Sequence, residues 1–184
     1  FLPYVAIIIL AWLPTIVVHA PGTLTYDNYV QMLVNDGLTV SYSAHNPPFD
    51  TWLYSLFWSL GDALGNRSFG LALHTVFQCV LTAAGLAASF CWLRLIQVPK
   101  TVRACLFALA CLLPIFPLSA ECMTKDYSFA TVFLFWSLMI CETVRTKGRF
   151  LERAWAIMLF VLTTVLLMMT KKTGVYVAAP VAIL

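Results

Sequence analysis

Apolar residues in this chain run in long blocks, interrupted by short polar connections and by one long mixed segment. A helix needs about 20 mostly apolar residues to cross the hydrocarbon core of a bilayer. By that rule the pattern predicts spans over residues 1–18, 69–93, 102–118, 127–144 and 155–169, with a sixth beginning near Gly174. The first block has a signal peptide as its alternative, because Val18-His19-Ala20 mimics a small-residue cleavage site. It lacks a basic n-region, however, and Pro21 would follow the cut directly. The chain begins without Met and stops inside an apolar stretch. It therefore reads as a fragment, a single transmembrane domain over 1–184 that forms the first part of a larger bundle.

The mixed segment, residues 19–66, predicts two short helices. Thr25 suits the N-cap of the first, and Gly37 suits the left-handed position after its end at Asp36. Tyr26, Val30 and Leu33 share one face of that helix, while Asp27 and Gln31 share another. Asn46 suits the N-cap of the second helix, with Pro47 in its first turn. Phe49, Trp52, Leu53, Leu56, Phe57 and Leu60 then form an apolar stripe, with Asp50, Tyr54 and Asp62 on the polar side. Helices of this kind beside a span lie in the membrane interface, apolar face down.

Composition strengthens the membrane reading. Of 184 residues 61% are hydrophobic and 10% charged, and the mean hydropathy is +0.88. A soluble globule carries about a quarter charged residues. A soluble enzyme, a disordered tail, a disulfide-stapled module and a nucleic-acid binder are thereby excluded. Six cysteines show no CxxC pair or metal spacing and read as small buried hydrophobes.

Charge placement orients the spans. Arg94, Lys100 and Arg103 mark the connection 94–103 as cytoplasmic. Arg145, Lys147, Arg149 and Arg153 do the same for 145–153. The segment 19–66 carries four aspartates before Asn66 and no Lys or Arg, so it lies outside, together with 119–126 and 170–173. Lys171 and Lys172 then fall on the outer side, where basic residues are depleted. They either snorkel to the head groups or neutralise a phosphate held there.

The run Pro21-Gly22-Thr23-Leu24-Thr25-Tyr26-Asp27-Asn28-Tyr29-Val30-Gln31, then Gly37, His45-Asn46-Pro47-Pro48, Trp52-Leu53-Tyr54 and Leu60-Gly61, resembles the first outer loop of GT-C membrane glycosyltransferases. The likeness is to the dolichyl-phosphate-mannose and aminoarabinose transferase-like branch. It extends to a family of bacterial multi-span proteins with a similar loop and a later Lys-Asp motif. The resemblance implies an all-α, multi-pass protein of the bacterial inner membrane. It implies transfer of a sugar from a polyprenyl-phosphate donor to a glycan, lipid or protein acceptor on the extracytoplasmic face. Asp27 stands where the family has its early catalytic or metal-associated acid, and Lys125-Asp126 resembles the acid of the second outer loop. Many relatives carry two adjacent acids at the first motif, whereas Asp27 is followed by Asn28. A lone carboxylate is a poor cage for a hard divalent cation. No metal ligand is therefore assigned, and a divalent cation stays an option only.

Glycosyl transfer of this kind needs a base facing the acceptor and positive charge on the departing phosphate. The resemblance assigns the base to Asp27, with Asp126 as the second acid. The chemistry then suits Lys125, Lys171 and Lys172 to the phosphate, and Tyr26, Tyr29, Gln31, His45 and Asn46 to the sugar or acceptor path. Each has a plainer account. Asp27 and Asp126 suit the first turn of a helix, where negative charge is favoured by roughly 0.3–1 kcal/mol. Glu121 reads as a solvated loop acid, and His45 as shaping a turn. His74 and Gln78, one turn apart inside a span, read as hydrogen-bonding to a neighbouring helix. A transporter or flippase is the alternative class. It expects ionisable or broken helices at span centres, whereas here the ionisable residues gather at the outer ends.

Overall fold

The computed structural model describes residues 1–38 and 48–181, and every regular element among them is helical. In order these are α1 (Leu2–Val18), α2 (Tyr26–Asn35), α3 (Pro48–Ala63), α4 (Arg67–Leu95), α5 (Lys100–Leu112), α6 (Ile115–Glu121), α7 (Lys125–Arg145), a 3-10 turn (Arg149–Glu152), α8 (Ala154–Thr170) and α9 (Lys172–Val181). His45 and Asn46, and the expected cap at Asn46-Pro47, lie outside the described residues.

Helix α4 is the axis of the bundle and touches α1, α3, α5, α6 and α7. Its residues Cys79 and Ala83, four apart, are fully buried against Ile8 and Trp12 of α1. Small side chains there let the two backbones approach closely. Trp12 seals this seam, its indole N–H donating to the Ala110 carbonyl of α5 at 3.0 Å. On the other flank, α7 pairs with α8 through Trp136, whose N–H donates to Thr164 Oγ1 at 2.9 Å.

Helices occupy all five expected span positions, but their lengths differ. α4 and α7 are each long and apolar enough to cross a membrane. α5 and α6 qualify only as a pair, bent by 49°. The break falls at Leu113-Pro114: proline has no N–H to continue the helix and pushes the residue before it to extended backbone, as at Leu113 (ψ 119°). α1 and α8 have 17 residues each, about 26 Å of helix. The expected connection 170–173 shrinks to one extended residue, Lys171. Beyond it α9 packs so tightly on α8 that a Cβ on Gly174 would stand 2.0 Å from the Leu167 carbonyl oxygen.

Both loop helices turn polar side chains towards the bundle and leave apolar ones outward. On α3 Asp50 and Tyr54 of the expected polar side are buried together with Thr51, all at 5% exposure or less, while Asp62 stays exposed and pairs with Arg67. Trp52, Leu56 and Leu60 of the apolar stripe are 43–60% exposed. On α2, Asn28 and Gln31 are buried while Tyr26 and Leu33 point outward. The reason is partnership: the polar groups find hydrogen-bonding partners on one another and on α7, which a solvated face would not require. α3 is clamped to α4 by glycines. A Cβ on Gly70 would lie 2.2 Å from the Phe57 carbonyl oxygen.

Two smaller expectations also change. Glu121 is fully buried, because α6 continues as far as this residue and the segment before α2 closes over it. Among the cysteines only Cys79 is buried, while Cys105 and Cys141 face outward from apolar helices; all six are free thiols.

Candidate functional site

The segment between α1 and α2 is pinned to the start of α7 by backbone. Thr23 N–H donates to the Glu121 carbonyl at 3.1 Å, and Met123 N–H donates back to the Thr23 carbonyl at 3.4 Å. This leaves Thr23 and Cys122 as an isolated parallel bridge. Thr75 of α4 holds the same segment from below, its hydroxyl donating to the Pro21 carbonyl at 2.7 Å. No side chain fits at Gly22, where a Cβ would meet Thr75 Oγ1 at 2.2 Å.

From this anchor α2 starts with a reciprocal cap. Asn28 Oδ1 accepts from the Thr25 N–H and from the Thr25 hydroxyl, both at 2.8 Å. The amide of Asn28 donates to the Met123 carbonyl at 2.6 Å and reaches Gln31 Oε1 at 3.4 Å. Gln31 in turn donates to Asp50 Oδ2 at 2.9 Å, and Ser128 donates to Asp50 Oδ1 at 3.2 Å. One buried polar chain thus ties α2, α3 and α7 together. Burial pushes the Asp50 carboxyl above its ordinary range, and the bonds from Gln31 and Ser128 and the nearby Lys125 ammonium only partly offset it.

Over this chain Lys125 Nζ meets Asp27 Oδ2 at 2.6 Å. Lys125 is 7% exposed, so the pair is mostly shielded from water on its basic side. The neighbouring residue Asp126 pairs with Lys171 Nζ at 2.6 Å, in a more exposed position. That ammonium also stands 5.8 Å from the centre of the Phe129 ring. Consecutive residues on a helix diverge by about 100°, so the first turn of α7 presents one ion pair to α2 and another to the α8–α9 break.

Two of the assigned acids and two of the assigned lysines are therefore brought to one end of α7. Lys172 is exposed beside them and makes no ion pair among the described residues. Tyr26 and Tyr29 are exposed on α2. Gln31 is not available to a ligand, because its amide group is spent on Asp50 and Asn28. His74 is buried edge-on against the rings of Tyr54 and Phe57, and Gln78 donates to the Cys122 carbonyl at 3.4 Å. Sequence reasoning missed Asp50, Ser128 and the structural part of Asn28. The only signal was the position of Asp50 and Tyr54 one turn apart, which a polar face turned to solvent explains equally well.

A metal fits poorly here. Among the described residues no three His, Cys, Asp or Glu side chains come together. Asn28, at the position of the second acid, has its Oδ1, the atom that would ligate a cation, taken up by the Thr25 N–H and hydroxyl.

No curated protein and no solved structure matches the chain. A match to a family begins beyond Asp27 and takes in Asp50, Lys125, Asp126 and Lys171. Over residues 33–184 the chain belongs to the family of unknown function DUF6020.

Proposed function

We propose that this chain works in a membrane as a GT-C-type glycosyltransferase, moving a sugar from a polyprenyl-phosphate donor to an envelope acceptor on the outer face. The observation that carries the reading is the 2.6 Å contact of Asp27 with Lys125, an acid and a base from separate outer segments. Membrane placement is supported by the outward-facing apolar side chains of α1, α4, α7 and α8. The length of α7 adds to this: its 21 residues measure about 32 Å and separate Lys125 from the basic connection after Arg145.

In the resting site Lys125 is neutralised by Asp27 and Lys171 by Asp126. An incoming donor phosphate competes for the Lys125 and Lys171 ammonium groups as the Asp27 carboxylate turns to the acceptor hydroxyl. Asp27 takes the hydroxyl proton as the oxygen bonds to the anomeric carbon. The bond from that carbon to the phosphate oxygen breaks, and its electron pair stays on the phosphate beside the lysines.

The test is Asp27→Asn in cells or reconstituted protein. Glycan product is expected to vanish while the protein, though less stable, is still expressed and inserted; unchanged product would overturn the mechanism. Lys171→Ala and Lys172→Ala should weaken donor use more than insertion, and unaltered donor kinetics would return those lysines to head-group snorkelling. A transport assay on the Asp27 variant separates this reading from a flippase.

A further inference from the structure

At the opposite end of α7 from Lys125 the chain makes a rigid turn. Gly148 N–H donates to the Thr143 carbonyl at 2.9 Å and Lys147 N–H to that of Val144 at 3.1 Å. Gly148 has φ +86°, a left-handed conformation that favours glycine. Thr146 Oγ1 then accepts from the Phe150 N–H at 3.1 Å. This turn arranges Arg145, Arg149 and Arg153 around one polar hollow of about 570 Å³, shared with Thr146, Glu142 and Glu152.

Glu142 is already engaged. It accepts two bonds from Arg145, at 2.7 and 2.5 Å, and one from the Trp92 indole at 3.1 Å. Arg149 and Arg153 form no ion pair among the described residues, and the Arg149 Nε reaches only the Thr146 carbonyl at 3.4 Å. Against the hollow, sharing Glu142 and Phe150 as lining, runs an apolar trough of about 360 Å³ between α4, α7 and α8. Trp92, Phe135, Met139, Trp155 and Leu159 line it, and the Phe150 and Trp155 rings meet edge to face at 5.6 Å.

From this pairing we infer that the α7–α8 end is a binding site for one anionic phospholipid, such as a phosphatidylglycerol. An acyl chain fills the trough and the head-group phosphate sits between Arg149 and Arg153. Charge and shape together select this occupant. A further apolar helix would cover the trough and bring no anion to the arginines, while a free phosphate would satisfy the arginines and leave the trough unfilled. Planar guanidinium groups suit phosphate oxygens, and basic hollows at this end of a bundle meet the leaflet rich in anionic lipid. The inference rests on the membrane placement proposed above and not on the transfer chemistry.

The experiment uses the full-length protein in mild detergent, titrated with phosphatidylglycerol, phosphatidylcholine or glycerol phosphate. Retention is read by native mass spectrometry and stabilisation by thermal melting. One phosphatidylglycerol per chain is expected to be retained and to raise the melting temperature more than phosphatidylcholine does. The exposed double substitution Arg149→Ala/Arg153→Ala should weaken that binding at least about tenfold, and Met139→Trp should weaken it by filling the trough. Equal retention of both lipids, retention unchanged by the double substitution, stabilisation by glycerol phosphate alone, or no retained lipid because another segment fills the trough would each overturn it. Sugar transfer is not read in this experiment, so its failure and that of the transferase reading are distinguishable.

Discussion

Asp27 and Lys125 lie 98 residues apart in the chain and 2.6 Å apart in space, joining the first turn of α2 to the first residue of α7. Because Lys125 is almost wholly buried, removing either partner leaves a charge that water cannot fully reach. Lys125→Met and Asp27→Asn are each expected to lower stability by about 1–3 kcal/mol, below the range for a fully buried pair because Asp27 is partly open. The double variant should lose less than the sum of the two, with a coupling of about 1 kcal/mol or more in a thermal-melting cycle. Strict additivity would show the contact to be energetically idle.

Asp50 makes stability depend on pH. Burial raises its folded-state carboxyl above the ordinary carboxylate range, so the folded protein holds a proton that the unfolded chain gives up. Stability must therefore fall as pH rises from about the unfolded value through the raised folded one, and level off above it. Asp50→Asn keeps an acceptor for Gln31 and has no such slope. Relative to that variant, the wild-type protein should gain stability on acidification from neutral pH towards 4. Parallel curves of melting temperature against pH would show that Asp50 is ionised throughout.

Asn28 is committed as a donor, so a second acid at this position is predicted to damage the fold without creating a metal site. Asn28→Asp sets a carboxylate 2.6 Å from the Met123 carbonyl, in a position with no solvent exposure. A loss of about 2 kcal/mol or more is expected. Adding magnesium or manganese should not restore the melting temperature. Full rescue by either cation would refute the structural account of this residue.

The clamp between α3 and α4 has no room for a methyl group. Gly70→Ala would bring its Cβ to 2.2 Å from backbone, which side-chain adjustment cannot relieve. A loss of about 1–3 kcal/mol is expected from overpacking, read as a lower melting temperature. Gly65→Ala provides a control of a different kind: no atom lies within 4 Å of its Cβ, and its cost comes from φ +73° alone. If Gly70→Ala melts no lower than the Gly65 variant, the close approach of the two helices is not a constraint.

Helix positions were readable from the sequence because long apolar blocks and turn residues are local signals. Thr25 and Gly37 act within four or five residues of themselves, whereas the break at Pro114 went unread inside the expected span 102–118. What covers the polar faces of α2 and α3 was not readable. Periodicity locates two faces of a helix but does not say which one is buried, and the usual rule assumes water outside. Asp50 needed Gln31 and Ser128, 19 and 78 residues away, before its burial made sense. The Asp27–Lys125 and Asp126–Lys171 contacts likewise join distant segments, and only the family resemblance suggested that they would meet.

The outward apolar faces of α2 and α3 have a practical consequence for handling the protein. Under the proposed membrane placement, hydrocarbon chains hold these helices in place by rejecting their polar flank, so the solvent around the bundle acts as part of the scaffold. Replacing lipid with a small micelle that admits water removes that constraint, and the pair is then free to roll over before the longer helices melt. Hydrogen exchange in nanodiscs and in short-chain detergent should detect this, with amides of 26–35 and 48–63 losing protection in the detergent while those of α4 keep theirs. Equal protection in both media would mean that the hydrogen bonds alone fix the orientation.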